Sequence, residues 1–273
     1  MRDPHVTRLR YRRKDRDGVS YQNPPPLEFE NGDLRLELAD DELTISPKRH
    51  FPNEDEARAE VEALLESWYI DAALRGGYEE MEFEFVDCDV IDRNPLPPGS
   101  PQTINVRSIE SATAFGNTRL QVIQHRYAPP PDRFAATPDA KTLWDRYRRY
   151  RQGAEPLQAM AYFCLTFVER NTPTSVGVNR RQAVSIRYAL KLEILHALGN
   201  IVSDVGDNIA GRKATHRPNH RDLNQPERRF VEEVVRMLIR RVGEYQTAPG
   251  TPFQLLTQAD FPALPDNYYQ RWP

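Results

Sequence analysis

Between Leu27 and Ile45 apolar residues recur at every second position, whereas from about Thr137 onward they recur at every third or fourth. Leu27 and Phe29 alternate with polar residues as far as Asn31-Gly32, a strong hairpin-turn signal. Leu34, Leu36 and Leu38 alternate again, Asp40-Asp41 turns the chain, and Leu43 and Ile45 form a third short strand. Period-two spacing buries one face of each strand, so the pattern predicts an antiparallel meander with a covering helix. That helix is predicted from an N-cap at Asn53. Glu54, Asp55 and Glu56 suit its positive end, Ala57, Val61, Leu64, Leu65 and Trp68 form its buried stripe, and Gly76-Gly77 ends it. Met81, Phe83 and Phe85 alternate as a fourth strand, with further strands expected at Thr103–Arg107 and Leu120–His125.

The helical half reads as four segments, 139–152, 155–171, 179–203 and 225–246, joined by short loops. In the last, Asn224 caps and Pro226 sits just inside the start. Phe230, Val231, Val234, Leu238, Ile239 and Val242 make one stripe. Such a run implies a helical bundle. The Pro-rich stretch 128–132 marks a boundary before it. The fold class is therefore α+β. A basic irregular arm (1–26, ending in Pro24-Pro25-Pro26) leads into a small sheet domain with one helix (27–135), then a helical bundle (138–246). An extended, Pro-rich tail closes the chain (247–273).

Charge sharpens this division. Residues 1–16 hold seven basic and two acidic side chains, 17–140 hold ten against twenty-five, and 141–245 hold nineteen against eleven. The net charge of -3 thus conceals an acidic half joined to a basic half. Either the basic half meets a polyanion, or the two halves complement each other electrostatically. No apolar run reaches the roughly 20 residues of a membrane-spanning helix, so no membrane partner is expected. Cys88 and Cys164 are isolated, and no apolar signal core follows Met1, which leads to the expectation of a cytoplasmic protein with reduced thiols.

The candidate chemistry is concentrated in Gly211-Arg212-Lys213-Ala214-Thr215-His216-Arg217. At a four-residue helical spacing Arg212 and His216 share one face. An arginine can grip a phosphate with two hydrogen bonds while an imidazole moves a 2′-hydroxyl or leaving-group proton, the equipment of a metal-free ribonuclease. Lys213, Arg217 and His220 would assist in holding nucleic acid. The same residues also suit an ordinary basic helix entry. In Arg146-Tyr147-Arg148-Arg149-Tyr150-Arg151, guanidinium groups interleave with aromatic rings, a pattern that clamps phosphates and stacks bases. It equally suits a helix with tyrosines inward and Arg146, Arg148, Arg149 and Arg151 in water. His50, His125 and His196 have no metal-ligand spacing, and the acids around Asp87, Asp89 and Asp92 read as a solvated strand face, so neither metal nor cofactor is expected. No phosphate-binding glycine loop, dinucleotide fingerprint or nucleophile elbow occurs.

With these residues in view, the block at about 157–245 resembles the HEPN superfamily of helical domains. The resemblance rests on the long segment Ala183–Val202, the Arg212/His216 site, and Leu223-Asn224-Gln225-Pro226-Glu227 leading into an apolar closing helix. It implies an RNA-cutting component of a bacterial conflict or defence system, acting as a homodimer that pairs two sites. In that superfamily four to six residues separate the arginine from the histidine. Here three separate Arg212 from His216, seven separate Arg212 from His220, and Lys213 replaces the usual polar residue. One missing residue turns a helical side chain by about a hundred degrees. Two functions are therefore expected side by side. One is an RNA-associated protein with a metal-independent ribonuclease site. The other is a non-catalytic scaffold whose bundle assembles with partner proteins.

Overall fold

The computed structural model describes residues 3–14, 19–76, 81–94, 122–204, 222–265 and 268–269. They divide into two units, Met1–Asp132 and Arg133–Pro273. The first is α+β and the second helical, as the change of period predicts.

In the first unit the strands are β1 (Pro4–Lys14), β2 (Val19–Tyr21), β3 (Leu27–Glu30), β4 (Leu34–Ala39), β5 (Glu42–Pro47), β6 (Glu82–Asp92) and β7 (Val122–Gln124), with helix α1 (Glu54–Gly76) between β5 and β6. Five of them form one sheet in the order β3-β4-β5-β1-β6, every neighbouring pair antiparallel, while β2 and β7 pair in parallel. The predicted hairpin between β3 and β4 is closed by Asn31, whose Oδ1 accepts from the amides of Asp33 and Leu34, both at 2.9 Å. Asp40 and Asp41 turn β4 into β5 with φ of 49° and 65°, the two positive values that suit a tight hairpin to strand twist.

The basic arm expected over residues 1–26 is corrected. Residues 4–14 form the longest strand beside β6, inserted between β5 and β6. Val6, Leu9 and Tyr11 are fully buried in the core, and Arg8, Arg10 and Arg12 lie on the opposite face. A shift of register between Val6 and Arg8 makes the inward step three residues rather than two. That irregularity removes the alternation by which a strand is read from sequence.

α1 begins where predicted, the Glu56 amide donating to Asn53 Oδ1 at 2.9 Å. Its stripe of Ala57, Val61, Leu65, Trp68 and Ala72 shares the buried core with Leu36, Leu38, Leu43 and Ile45. Trp68 is fully enclosed, and its indole N–H donates to the Ala128 carbonyl at 2.9 Å, which satisfies the polar end of a large buried ring. β6 extends past the expected Phe85 to Asp92, so Asp87 and Asp89 stand on a strand. The expected strand at Thr103–Arg107 lies outside the described residues.

The second unit holds α2 (Pro138–Arg151), α3 (Leu157–Asn171), α4 (Arg180–Tyr188), α5 (Leu192–Asp204) and α6 (Gln225–Thr247). α2 and α6 run antiparallel. Tyr150 near the end of α2 donates to Glu232 near the start of α6, while Gln246 near the end of α6 donates to Asp139 at the start of α2. α6 carries the expected cap at Asn224, completed by Glu227 as a reciprocal capping box. The segment 179–203, expected as one helix, is two. Ala189 adopts a left-handed conformation (φ 50°) and ends α4. Tyr188-Ala189-Leu190-Lys191 contains neither glycine nor proline, so nothing local announces the break. It is held by the tail: the Leu256 amide donates to the Ala189 carbonyl at 2.8 Å, and the Lys191 amide to the Leu256 carbonyl at 2.9 Å. From there the tail continues past Phe230, where Phe261 and Tyr269 meet that ring edge-on. Among the described residues no helix is long and apolar enough to cross a membrane.

Candidate functional site

The residues predicted to carry chemistry fall into two groups. Arg212, Lys213, His216, Arg217 and His220 lie outside the described residues, in the stretch 205–221 between α5 and α6. The arginines of α2 are fully described and can be followed one by one.

α2 buries Ala140, Leu143, Trp144 and Tyr147 along one side. Tyr147 is thereby enclosed, and burial pushes its phenol above the ordinary range. Tyr150 is half-buried and donates to Glu232. Burial and that carboxylate together hold its proton firmly. The hydroxyl of Tyr150 is thus engaged within the bundle, and Tyr147 is withdrawn into the core. Arg146 sits over Phe163 of α3, its Cζ 4.3 Å from the ring centroid, and donates from Nη1 to Glu155 at 3.1 Å. Arg148 pairs with Asp145 at 3.1 Å on an exposed surface, a pair of small energetic weight. Arg149 is exposed and has no carboxylate partner among the described residues. Arg151, also exposed, lies beside Tyr147.

The antiparallel course of α2 and α6 has a further effect, absent from the reading of separate segments. It brings the basic end of α2 to the same end of the bundle as Arg228 and Arg229 in the first turn of α6. Arg229 is exposed without a carboxylate partner among the described residues, and Arg228 donates to the Leu223 carbonyl at 3.1 Å. Farther along α6, Arg236 pairs with Glu233, and Arg240 with Glu244 at 3.0 Å. Arg149 and Arg229 thus stand exposed at the same end of the bundle, while Arg236 and Arg240 farther along α6 are paired.

The other basic segment behaves differently. Arg10 on β1 donates from Nε to Asp87 at 2.5 Å and from both Nη atoms to Asp89, at 2.9 and 3.0 Å. Lys14 meets Glu84 at 2.8 Å, and Arg12 stands in register between Glu42 and Glu84. Arg13 turns inward to Asp41 at 2.6 Å, over the Tyr21 ring. Most cations of the strand that reads as a free basic arm, Arg8, Arg10, Arg13 and Lys14, are thus matched to acids of its own unit.

The two cysteines are free. Cys164 is fully buried, which raises its thiol well above the usual range. Cys88 is half-buried beside Glu54, and desolvation together with that carboxylate pushes it up to about 11. Neither is a poised nucleophile. Among the described residues no group of three or more His, Cys, Asp or Glu side chains is arranged to hold a metal ion. Comparison of the chain with protein-family models, with curated proteins and with solved structures yields no match.

Proposed function

We propose that this chain is an RNA-associated protein whose helical unit supplies the binding face. The observation that carries the reading is the different fate of the two basic segments. On β1, Arg10 is held by Asp87 and Asp89, Arg13 by Asp41 and Lys14 by Glu84, whereas Arg149 and Arg229 stand exposed at one end of the bundle without a carboxylate partner among the described residues. Residues 133–273 carry twenty-one basic and fourteen acidic side chains, so a polyanion is the partner this unit attracts. Within this reading the chain is HEPN-like. Arg212 would grip a phosphate and His216 would transfer protons in a metal-independent cleavage, with Lys213, Arg217 and His220 assisting.

A scaffold function is supported by a separate observation. β6 lies at the end of the sheet and exposes Val86, Val90 and Ile91, features that favour pairing with an extended segment of a partner protein.

Binding of labelled RNA measured across a salt series tests the proposal. The wild type should bind with a steep salt dependence, and an Arg149→Glu/Arg229→Glu variant should bind more weakly with a shallower slope. Incubation of RNA in EDTA with wild type and His216→Ala then separates the roles. Cleavage by the wild type alone, leaving 2′,3′-cyclic phosphate ends, supports the ribonuclease. Binding without cleavage supports an RNA-binding protein, and absence of binding supports the scaffold.

A further inference from the structure

We infer that the α2/α3 surface is a stacking platform for single-stranded RNA, formed by Arg146, Arg149, Phe163, Phe167 and Arg170. The inference rests on the RNA-associated reading of the helical unit and names the form of nucleic acid it takes.

α3 turns Leu157, Met160, Ala161, Cys164, Leu165 and Val168 into the core as one stripe. Phe163 and Phe167 lie off that stripe, four residues apart and half-buried, with stacked rings whose centroids are 5.8 Å apart and whose planes differ by 30°. Two phenyl rings beside the core rather than inside it leave apolar ring surface at the protein boundary, where Leu or Ala would meet a helix's needs at least as well. One turn farther on, Arg170 is exposed and has no carboxylate partner among the described residues. From Phe163 to Arg170 the helix rises about 10 Å, the length of roughly three stacked nucleotides.

α2 completes the surface. Arg146 sits over the Phe163 ring and is tethered by Glu155, itself mostly buried, so its guanidinium is held beside the ring before any ligand arrives. A guanidinium fixed in this way offers its outer face to a nucleobase. Arg149, one turn beyond, is exposed. The acids nearest in sequence are engaged, Asp145 with Arg148 and Glu155 with Arg146 itself. The order along the surface is therefore cation, cation on ring, ring, cation. An apolar protein partner would not call for unpaired arginines at both ends. A duplex would meet the cations and leave the rings unused, because its bases are already stacked. A single strand uses both, with phosphates at Arg149 and Arg170 and bases on the outer faces of Arg146 and Phe167, which Phe163 supports from between them.

A Phe163→Leu/Phe167→Leu variant keeps apolar volume on α3 and removes the rings. It is expected to bind a labelled single-stranded RNA about tenfold more weakly than wild type, with an unchanged salt slope and an unchanged melting temperature. In parallel, a 5-iodouridine-substituted single strand irradiated on the wild-type protein is expected to crosslink to Phe163 or Phe167. Unchanged affinity in a folded variant overturns the platform while leaving the RNA reading intact, as does a crosslink map without α3. No binding of any RNA by the wild type overturns both. If the variant fails to fold, the crosslink on the wild type decides.

Discussion

Arg10 holds Asp89 with two parallel hydrogen bonds, Nη1 to Oδ2 at 3.0 Å and Nη2 to Oδ1 at 2.9 Å. The pair spans β1 and β6 and ties a basic N-terminal segment into the middle of an acidic sheet. The hydrogen bonds and charge of Arg10 hold Asp89 below the ordinary carboxylate range. A carboxylate depressed in the folded state stabilises the protein above its unfolded pKa, near 4, and loses that contribution as pH falls through the folded value. Because the Asp89 side chain is 42% exposed, solvent screens the pair, and Asp89→Asn should cost only about 1 kcal/mol or less at neutral pH. Denaturant melts of both proteins should differ at pH 7 and converge below about pH 4. A difference that persists in acid would assign the effect to packing rather than charge.

Cys88 and Cys164 should resist alkylation in the native protein at pH 8. The thiolate is the reactive form, and burial disfavours it at both positions. Thiol titration should find both groups slow under native conditions and both rapid in denaturant. Fast native labelling of Cys164 would mean that α3 opens locally.

Ala189 occupies the left-handed region at φ 50°, ψ 47°, a conformation that costs an L-residue about 1–2 kcal/mol. Glycine removes the strain and adds about 0.5–1 kcal/mol of unfolded-state entropy. Ala189→Gly is therefore expected to be neutral or stabilising by up to about 1 kcal/mol. Ala189→Val should be destabilising, because a β-branched residue tolerates this region least. Equal stability of the two variants in equilibrium denaturation would contradict the assigned geometry.

Tyr268 in the tail donates to Glu227 at 2.5 Å, and the Asn200 side chain donates to the Tyr268 carbonyl at 3.0 Å. Glu227 is fully buried and also closes the capping box of α6. Tyr268→Phe removes one donor from a buried acceptor and should cost about 1–3 kcal/mol. Hydrogen exchange should quicken around Asn200 and in the first turn of α6. An unchanged exchange pattern would show that the tail is not what secures the start of that helix.

Much of the fold is legible in the residues themselves. Strands β3, β4 and β5 alternate cleanly, and their turns carry Asn31-Gly32 and Asp40-Asp41. Helices α1 and α6 begin at side-chain caps, Asn53 and Asn224, and their buried stripes keep helical spacing. β1 is not legible, because its register shifts break the alternation and its outward face is densely basic, like a disordered terminus. The Phe163/Phe167 pair has a weak signal in sequence: at i and i+4 the two rings look like additional core, and only their position beside the buried stripe sets them apart.

By itself, the sequence determined the class of each half, the hairpins, the helix starts and the separation of charge, since local backbone preference and side-chain periodicity depend on neighbours a few residues away. The tertiary structure decided where the charge is spent. It set β1 against the acids of β6, broke the predicted long helix at Ala189 by pairing it with Leu256, and brought Arg149 and Arg229 to one end of the bundle. Each of these depends on contacts between residues far apart in the chain, whose free energy is absent from any local window.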